Sequence, residues 1–195
     1  MKKFFPVLQY INVPNSITTM GMLFGIAACY FLVNGNLQGT LLCLSFSLVA
    51  DFCDGFFAVK LKQETQFGVY VDSLVDFFIC IIIPIWLVYI FVGSYPILVI
   101  VLAFYCICGL WRLAYYNLKE SDDHFIGLPV PGAMLFVSMS IWSVVYYGLS
   151  SWLIYGALFL TGLLMVSFIR LQKYGMWQKC LWVVGLVFLG VILAS

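Results

Sequence analysis

The chain has 195 residues, 65% of them apolar, and its nine basic and eight acidic side chains leave a net charge of +1. Mean hydropathy is +1.10. Ordinary soluble domains carry about 45–50% apolar and ~25% charged residues, so water is excluded as the main solvent, and the near-zero net charge excludes a nucleic-acid binder, which needs a basic face.

At about 1.5 Å rise per residue, ~20 residues cross the hydrocarbon. The length therefore allows roughly seven crossings and leaves no room for a soluble domain. The pattern predicts an all-α polytopic membrane helix bundle, residues 1–195 forming one domain with about six to seven spans. Residues 4–13 (Phe4, Phe5, Pro6, Val7, Leu8, Tyr10, Ile11 and Val13 among them) are short and aromatic. Residues 1–15 are predicted to lie along the membrane interface. Pro14, Asn15 and Ser16 then open the first span. Spans are predicted at roughly 16–33, 38–59, 68–92, 96–116, 132–148, 151–169 and 178–194. The first run is read as a span rather than a cleavable signal, because it starts near residue 16 and further spans follow.

Gly21 and Gly25 form a G-x-x-x-G in the first span, suited either to close packing inside the bundle or to a dimer face. The connections at 33–39, 93–95 and 148–151 carry no charge. Lys2, Lys3, Lys60, Lys62, Arg112, Lys119, Arg170, Lys173 and Lys179 all gather on the other side. The positive-inside rule then places the N-terminus in the cytoplasm. Six of the seven cysteines sit in apolar stretches and read as buried small hydrophobes; Cys53 lies between two aspartates.

The informative residues are acids. Span two ends with Asp51 and Asp54, which share a helix face at i,i+3; span three opens with Asp72 and Asp76, at i,i+4. Asp54 lies about 9 Å before Lys60 along its helix, and Asp72 about 6 Å after Gly68. Two antiparallel neighbours thus bring four carboxylates to one depth below the cytoplasmic interface. Burying one costs about 2.5–3.5 kcal/mol on insertion scales. Lys60, Lys62 and Arg112 are too few to neutralise four. Divalent metal is the economical counter-charge, because carboxylate oxygens are hard ligands for magnesium, manganese or calcium. Four carboxylates suffice for two ions ~3.5–4 Å apart, the arrangement used in phosphoryl transfer. Helix-end aspartates reaching to water would account for one or two positions but not for two facing pairs. Gly55, Ala58 and Gly68 are small residues beside the acids that leave room for something bulky, although helix packing would use Gly55 equally well.

Arg112 closes span four at about the depth of the acids, and its guanidinium suits a carboxylate or phosphate. Snorkelling, or neutralising the aspartates, would also account for it. Gly127 to Pro131 cannot be regular helix, since Pro129 and Pro131 break it; the segment reads either as a rigid cap over a polar pocket or as a plain turn. His124, beside Asp122 and Asp123, reads as solvated loop, and Tyr115, Tyr116, Trp152 and Trp177 as interfacial belt.

These residues resemble the CDP-alcohol phosphotransferase signature D-x-x-D-G-x-x-A-R, a gap of seven or eight, then G-x-x-x-D-x-x-x-D. Asp51, Asp54, Gly55, Ala58, Gly68, Asp72 and Asp76 fall on it, while Val59 occupies the arginine position. Further stretches are similar to the bacterial and archaeal phosphatidylserine synthase branch: Pro14-Asn15-x-x-Thr18, Asp72-Ser73-Leu74-x-Asp76 with Pro84, Arg112 to Asn117, and Phe125 to Ala133. Two positions depart from that branch, Tyr115 standing for an arginine and Ile79-Cys80-Ile81 for serine-phenylalanine-glycine. The resemblance covers residues 14–134.

It implies a six-helix core with a cytoplasmic-side active site in the cell (inner) membrane, CDP-diacylglycerol as donor, L-serine as acceptor, and phosphatidylserine and CMP as products. It implies two divalent cations (Mg2+ or Mn2+) on Asp51, Asp54, Asp72 and Asp76, with Asp76 also the general base. CDP-lipid contacts fall on Gly55, Ala58, Gly68, Asn15 and Thr18, and the acceptor contact on Arg112. A homodimer among membrane lipids is also implied, with no nucleic-acid partner. The competing expectations are another acceptor (glycerol phosphate, inositol phosphate or an amino alcohol), a divalent-cation transporter, and a silent membrane scaffold.

Overall fold

The structure, a computed structural model, describes residues 6–93, 95–118, 124–172 and 176–194. Lys2, Lys3, Lys119, Asp122, Asp123 and Lys173 lie outside the described residues, as do the side chains of His124, Trp177, Lys179 and Cys180. A 3-10 turn, Pro6–Tyr10, leads into α1 (Val13–Val33) and α2 (Leu37–Lys60). Span three is α3 (Gln66–Asp76), a π turn (Phe77–Ile82) and α4 (Ile83–Val92) in one continuous rod. Then come α5 (Pro96–Leu118), β1 (His124–Ile126), α6 (Val130–Tyr147), α7 (Trp152–Met165), β2 (Arg170–Gln172) and α8 (Met176–Ala194). Among the described residues, the regular elements apart from the three-residue strands are helices, and five rods are long and apolar enough to span a bilayer. This is the all-α polytopic bundle the composition predicts.

Side-chain caps set the helix starts. Asn12 accepts from the Asn15 amide at 2.8 Å, Asn36 from Gly39 at 2.7 Å and Thr65 from Gly68 at 3.1 Å, each satisfying an amide that a helix N-terminus leaves without a partner. The N-terminal segment is tied down across the α2–α3 loop. Asn15 Nδ2 donates to the Tyr10 carbonyl at 2.8 Å, the Val13 amide donates to Gln63 Oε1 at 3.3 Å, and the Tyr10 ring stacks on Phe67 at 4.4 Å.

Both glycines of the G-x-x-x-G are buried inside the bundle, so the close-packing reading holds for them. A Cβ at Gly21 would lie 3.4 Å from Ala50 of α2, and Ser47 Oγ donates to the Gly21 carbonyl at 3.0 Å. A Cβ at Gly25 would come 2.8 Å from Ile79 of the π turn. At the opposite end of α2, Gln38 Nε2 donates to the Ile192 carbonyl at 2.8 Å and fixes α8.

The sixth predicted span, roughly 151–169, is shorter than its hydropathy suggests. Its helix α7 has 14 residues, about 21 Å at 1.5 Å per residue against ~30 Å of hydrocarbon. Beyond Met165 the chain leaves the helix and pairs with the segment before α6. β1 and β2 are antiparallel, with Phe125 opposite Leu171. The Gly127 amide donates to the Ile169 carbonyl at 2.8 Å and Leu128 to Leu164 at 2.9 Å. Non-helical backbone in this setting is tolerated when the protein itself satisfies its polar groups. Gly127 has φ +75°, and a Cβ there would run into the Met165 carbonyl oxygen.

Gly127→Ala is therefore expected to cost more stability than Gly148→Ala, where φ is +65° but the space is open. A left-handed non-glycine residue alone costs about 1–2 kcal/mol, and the collision adds to it. Thermal unfolding in detergent checks this; equal losses would show that the ribbon yields to the methyl group.

Candidate active site

The acids sit where the α2–α3 hairpin closes. Asp51 lies on α2; Asp72 and Asp76 lie one turn apart on α3. A carboxylate oxygen from each of these three comes within 4.8 Å of the others. Asp54, one turn further along α2, is not in this triad. It is buried at 6% exposure and accepts a short hydrogen bond from Thr18 Oγ1 of α1. All four aspartates, together with Thr18 and Ser47, line one small cavity.

That cavity adjoins a larger one of about 220 Å³, and Asp51, Asp72 and Asp76 line both. The polar wall of the larger cavity adds Ser73, Arg112 and Tyr116. Pro129, Val130, Pro131 and Gly132 form a rim, and Leu48, Leu135, Leu186 and Leu189 make an apolar wall. The two prolines thus border the pocket, as the rigid-cap reading requires. Arg112 is buried at 6% exposure; its guanidinium stands 5.3 Å from the Tyr116 ring, and its Nε has no hydrogen-bond partner. A buried N–H left unpaired costs about 1–3 kcal/mol, more for a charged group, so the Nε of this arginine carries an unmet hydrogen-bonding capacity.

Of the residues assigned to the CDP-lipid, Thr18 reaches the acid-lined cavity, through Asp54. The other four surround the hairpin end without lining either cavity. Asn15 spends its amide on Tyr10, and its Oδ1 lies against Gly68, where a Cβ would approach to 2.7 Å. Gly68 is small because α1 needs the space. Ala58 is half-buried one turn beyond Asp54 and accepts the Gln63 amide at its carbonyl. Gly55 is exposed, and a Cβ there would meet no atom within 4 Å, so its lack of a side chain leaves open space beside Asp54. Val59 is exposed, and the Lys60 ammonium stands 5.3 Å from the Phe56 ring, along the outside of α2 rather than among the acids. Lys60 does not stand in for the arginine of the signature.

Two further ties lie beside the acids. Ser73 Oγ donates to Asn117 Oδ1 at 3.0 Å and joins α3 to α5 beside the cavity. Cys80 Sγ lies 3.7 Å from Asp76 Oδ1. A signal for the first existed, since Ser73 stands between two of the acids and Asn117 follows Arg112 by just over one helical turn.

The donor set fits hard divalent cations. Three carboxylates from two helices converge, with a fourth on an adjacent turn, in a setting where uncompensated anions are costly.

Similarity to known proteins agrees with this chemistry. The sequence profile of the CDP-alcohol phosphatidyltransferase family matches residues 11–163, from the start of α1 to near the end of α7, and so takes in all four aspartates. The CDP-diacylglycerol–serine O-phosphatidyltransferase of Methanocaldococcus jannaschii is 30% identical over 172 residues, covering 87% of this chain and 78% of that protein. The Helicobacter pylori protein of the same name is 29% identical over 198 residues, covering 96% and 84%. A shorter match, 36% identical over 66 residues and covering 34% and 37%, is to the CDP-diacylglycerol–glycerol-3-phosphate 3-phosphatidyltransferase of Aquifex aeolicus. With the acid signature on a membrane hairpin and the family match over most of its length, the chain belongs to the CDP-alcohol phosphatidyltransferase family and is an integral membrane enzyme of that kind.

Proposed function

We propose that the enzyme transfers the phosphatidyl group of CDP-diacylglycerol to L-serine, giving phosphatidylserine and CMP. The observation that carries the acceptor is Arg112. It is buried, has an unpaired Nε, and lines the same cavity as the acid triad. Serine offers it a carboxylate, whereas a neutral polyol or choline offers no anion. The serine-specific names of the long matches support the same acceptor. Glycerol phosphate is the second reading: its phosphate would also suit Arg112, and the Aquifex aeolicus relative acts on it by name.

In this reading the serine hydroxyl oxygen attacks the phosphorus bonded to the diacylglycerol. The bond from that phosphorus to the CMP phosphate oxygen breaks, and CMP leaves with the electron pair. Asp76 takes the hydroxyl proton. Asp51, Asp54, Asp72 and Asp76 would hold two divalent cations, Mg2+ or Mn2+, with Thr18 fixing Asp54 from α1. Such cations, when bound, neutralise pyrophosphate charge and stabilise the leaving oxygen. Arg112 orients the acceptor, and the apolar wall of Leu48, Leu135, Leu186 and Leu189 accommodates the donor's hydrocarbon and excludes water. Gly55 leaves room for the nucleotide beside Asp54. The whole chain acts as one domain, with its N-terminus and active site on the cytoplasmic side of the inner membrane, because Lys60, Lys62, Arg112 and Arg170 stand near one end of the bundle. The homodimer is carried over from the family.

The deciding experiment is CMP release by purified protein with CDP-diacylglycerol and Mn2+ or Mg2+, with serine added or omitted. Serine-dependent release with a phosphatidylserine product is expected. Release with glycerol 3-phosphate alone would keep the chemistry and discard serine. Binding of the donor without release to any acceptor would make the chain a silent relative. Arg112→Ala is expected to raise the acceptor KM about 10–100-fold, as loss of hydrogen bonds to a charged group implies, with donor KM nearly unchanged.

The acid triad also sets an expectation for stability. With a chelator present, Asp72→Asn removes one of three crowded charges and is expected to raise the unfolding temperature by a few degrees, since ~1 kcal/mol moves it about 2–4 °C at this size. Mn2+ should then stabilise the wild type more than the variant. The reverse order in the melting curves would take Asp72 out of the metal set.

A further inference from the structure

Asp76 is followed immediately by an irregularity that none of the acids requires. Residues Phe77–Ile82 form a π turn, and the Ile83 amide reaches back five residues to the Phe78 carbonyl. Pro84 supplies the cause. In an α-helix the N–H of residue 84 would serve the carbonyl of Cys80, but proline has no N–H and its ring presses on that carbonyl. Widening the turn relieves the clash, and the proline withholds from the Cys80 carbonyl the donor that an α-helix would give it. In hydrocarbon such a group must find a partner inside the protein. It finds the Tyr105 hydroxyl on α5, which donates to it at 2.9 Å from a fully buried ring.

The neighbours are shaped to seat this turn. A Cβ at Gly25 of α1 would crowd Ile79, and one at Gly109 of α5 would collide with Ile81. The π turn is thus gripped on two sides by glycines and pinned by one hydroxyl. Cys80 also faces the chemistry, its Sγ lying 3.7 Å from Asp76 Oδ1.

We propose that Tyr105 is a positioning residue for Asp76: by holding the Cys80 carbonyl it fixes the π turn, and the Cys80 thiol in turn fixes the carboxylate that receives the acceptor's proton. The inference rests on the role of Asp76 given above. Displacement of a reacting group by an ångström can cost about 100-fold in rate, so a pin of this kind acts on turnover more than on binding.

The test uses the full chain in detergent with saturating substrates. Tyr105→Phe removes only the hydroxyl. It is expected to lower kcat about tenfold, while KM for CDP-diacylglycerol and the half-activating metal concentration stay within about twofold. Cys80→Ala should lower kcat in the same way, and Cys80→Ser, which keeps a donor, should recover most of the loss. Added to Asp76→Asn, Tyr105→Phe should take little more from the residual rate, because both act through one carboxylate. A wild-type kcat in Tyr105→Phe, or a full tenfold further loss on the Asp76→Asn background, overturns the proposal. Should Tyr105→Phe fail to fold, the Cys80 pair decides, and equal rates for alanine and serine overturn it. Undiminished turnover in Asp76→Asn alone would instead remove Asp76 as the base, a separate failure.

Discussion

A carboxylate at membrane depth costs about 2.5–3.5 kcal/mol on insertion scales, and the α2–α3 hairpin gathers three within 4.8 Å. Left alone, such a cluster would drive its helices apart or pull water inward. Much of the polar bonding near it opposes that outcome. Thr18 holds Asp54 from α1, Ser47 bonds the Gly21 carbonyl, Thr65 caps α3, and Ser73 ties α3 to Asn117 of α5. Each tie is modest, about 0.5–1.5 kcal/mol for a net hydrogen bond. Together they hold the hairpin in a geometry that its charges oppose and that a divalent cation would reward.

The same constraint accounts for the small residues around the hairpin. Gly68 and Gly21 let α1 lie against α3 and α2, so the helix carrying Thr18 can reach the acids. Gly55 differs, facing open space. Of the small residues beside the acids, one faces open space and another the protein's own packing, although a motif treats them alike.

Much of this was legible in the residues. The four acids were legible because hydrophobic runs tolerate charges only for a reason, and their i,i+3 and i,i+4 spacing put each pair on one face. Arg112 followed from the same logic. The roles of Asn15 and Gly68 were not legible, because they meet across two helices more than 50 positions apart. Nor was the early end of α7, since Val166, Phe168 and Ile169 are as apolar as the helix before them. The partner strand at 124–126 lies 44 or more residues earlier. Pro84 entered the sequence reading only through the resemblance, and the π turn with its hydroxyl pin needed a tyrosine from another span. Long-range pairing, rather than local propensity, separates what could be read from what could not.

The ribbon between β1 and β2 has a mechanical consequence. The rim of the larger cavity, Pro129 to Gly132, follows directly on two residues whose amides are bonded to the end of α7 and the segment just beyond it. The rim is therefore not a free flap. To swing it outward is to drag the end of α7 along, or to break paired backbone hydrogen bonds. The cavity mouth is thereby coupled through backbone to α7, so a substitution at the end of α7 can be felt at the rim of the site.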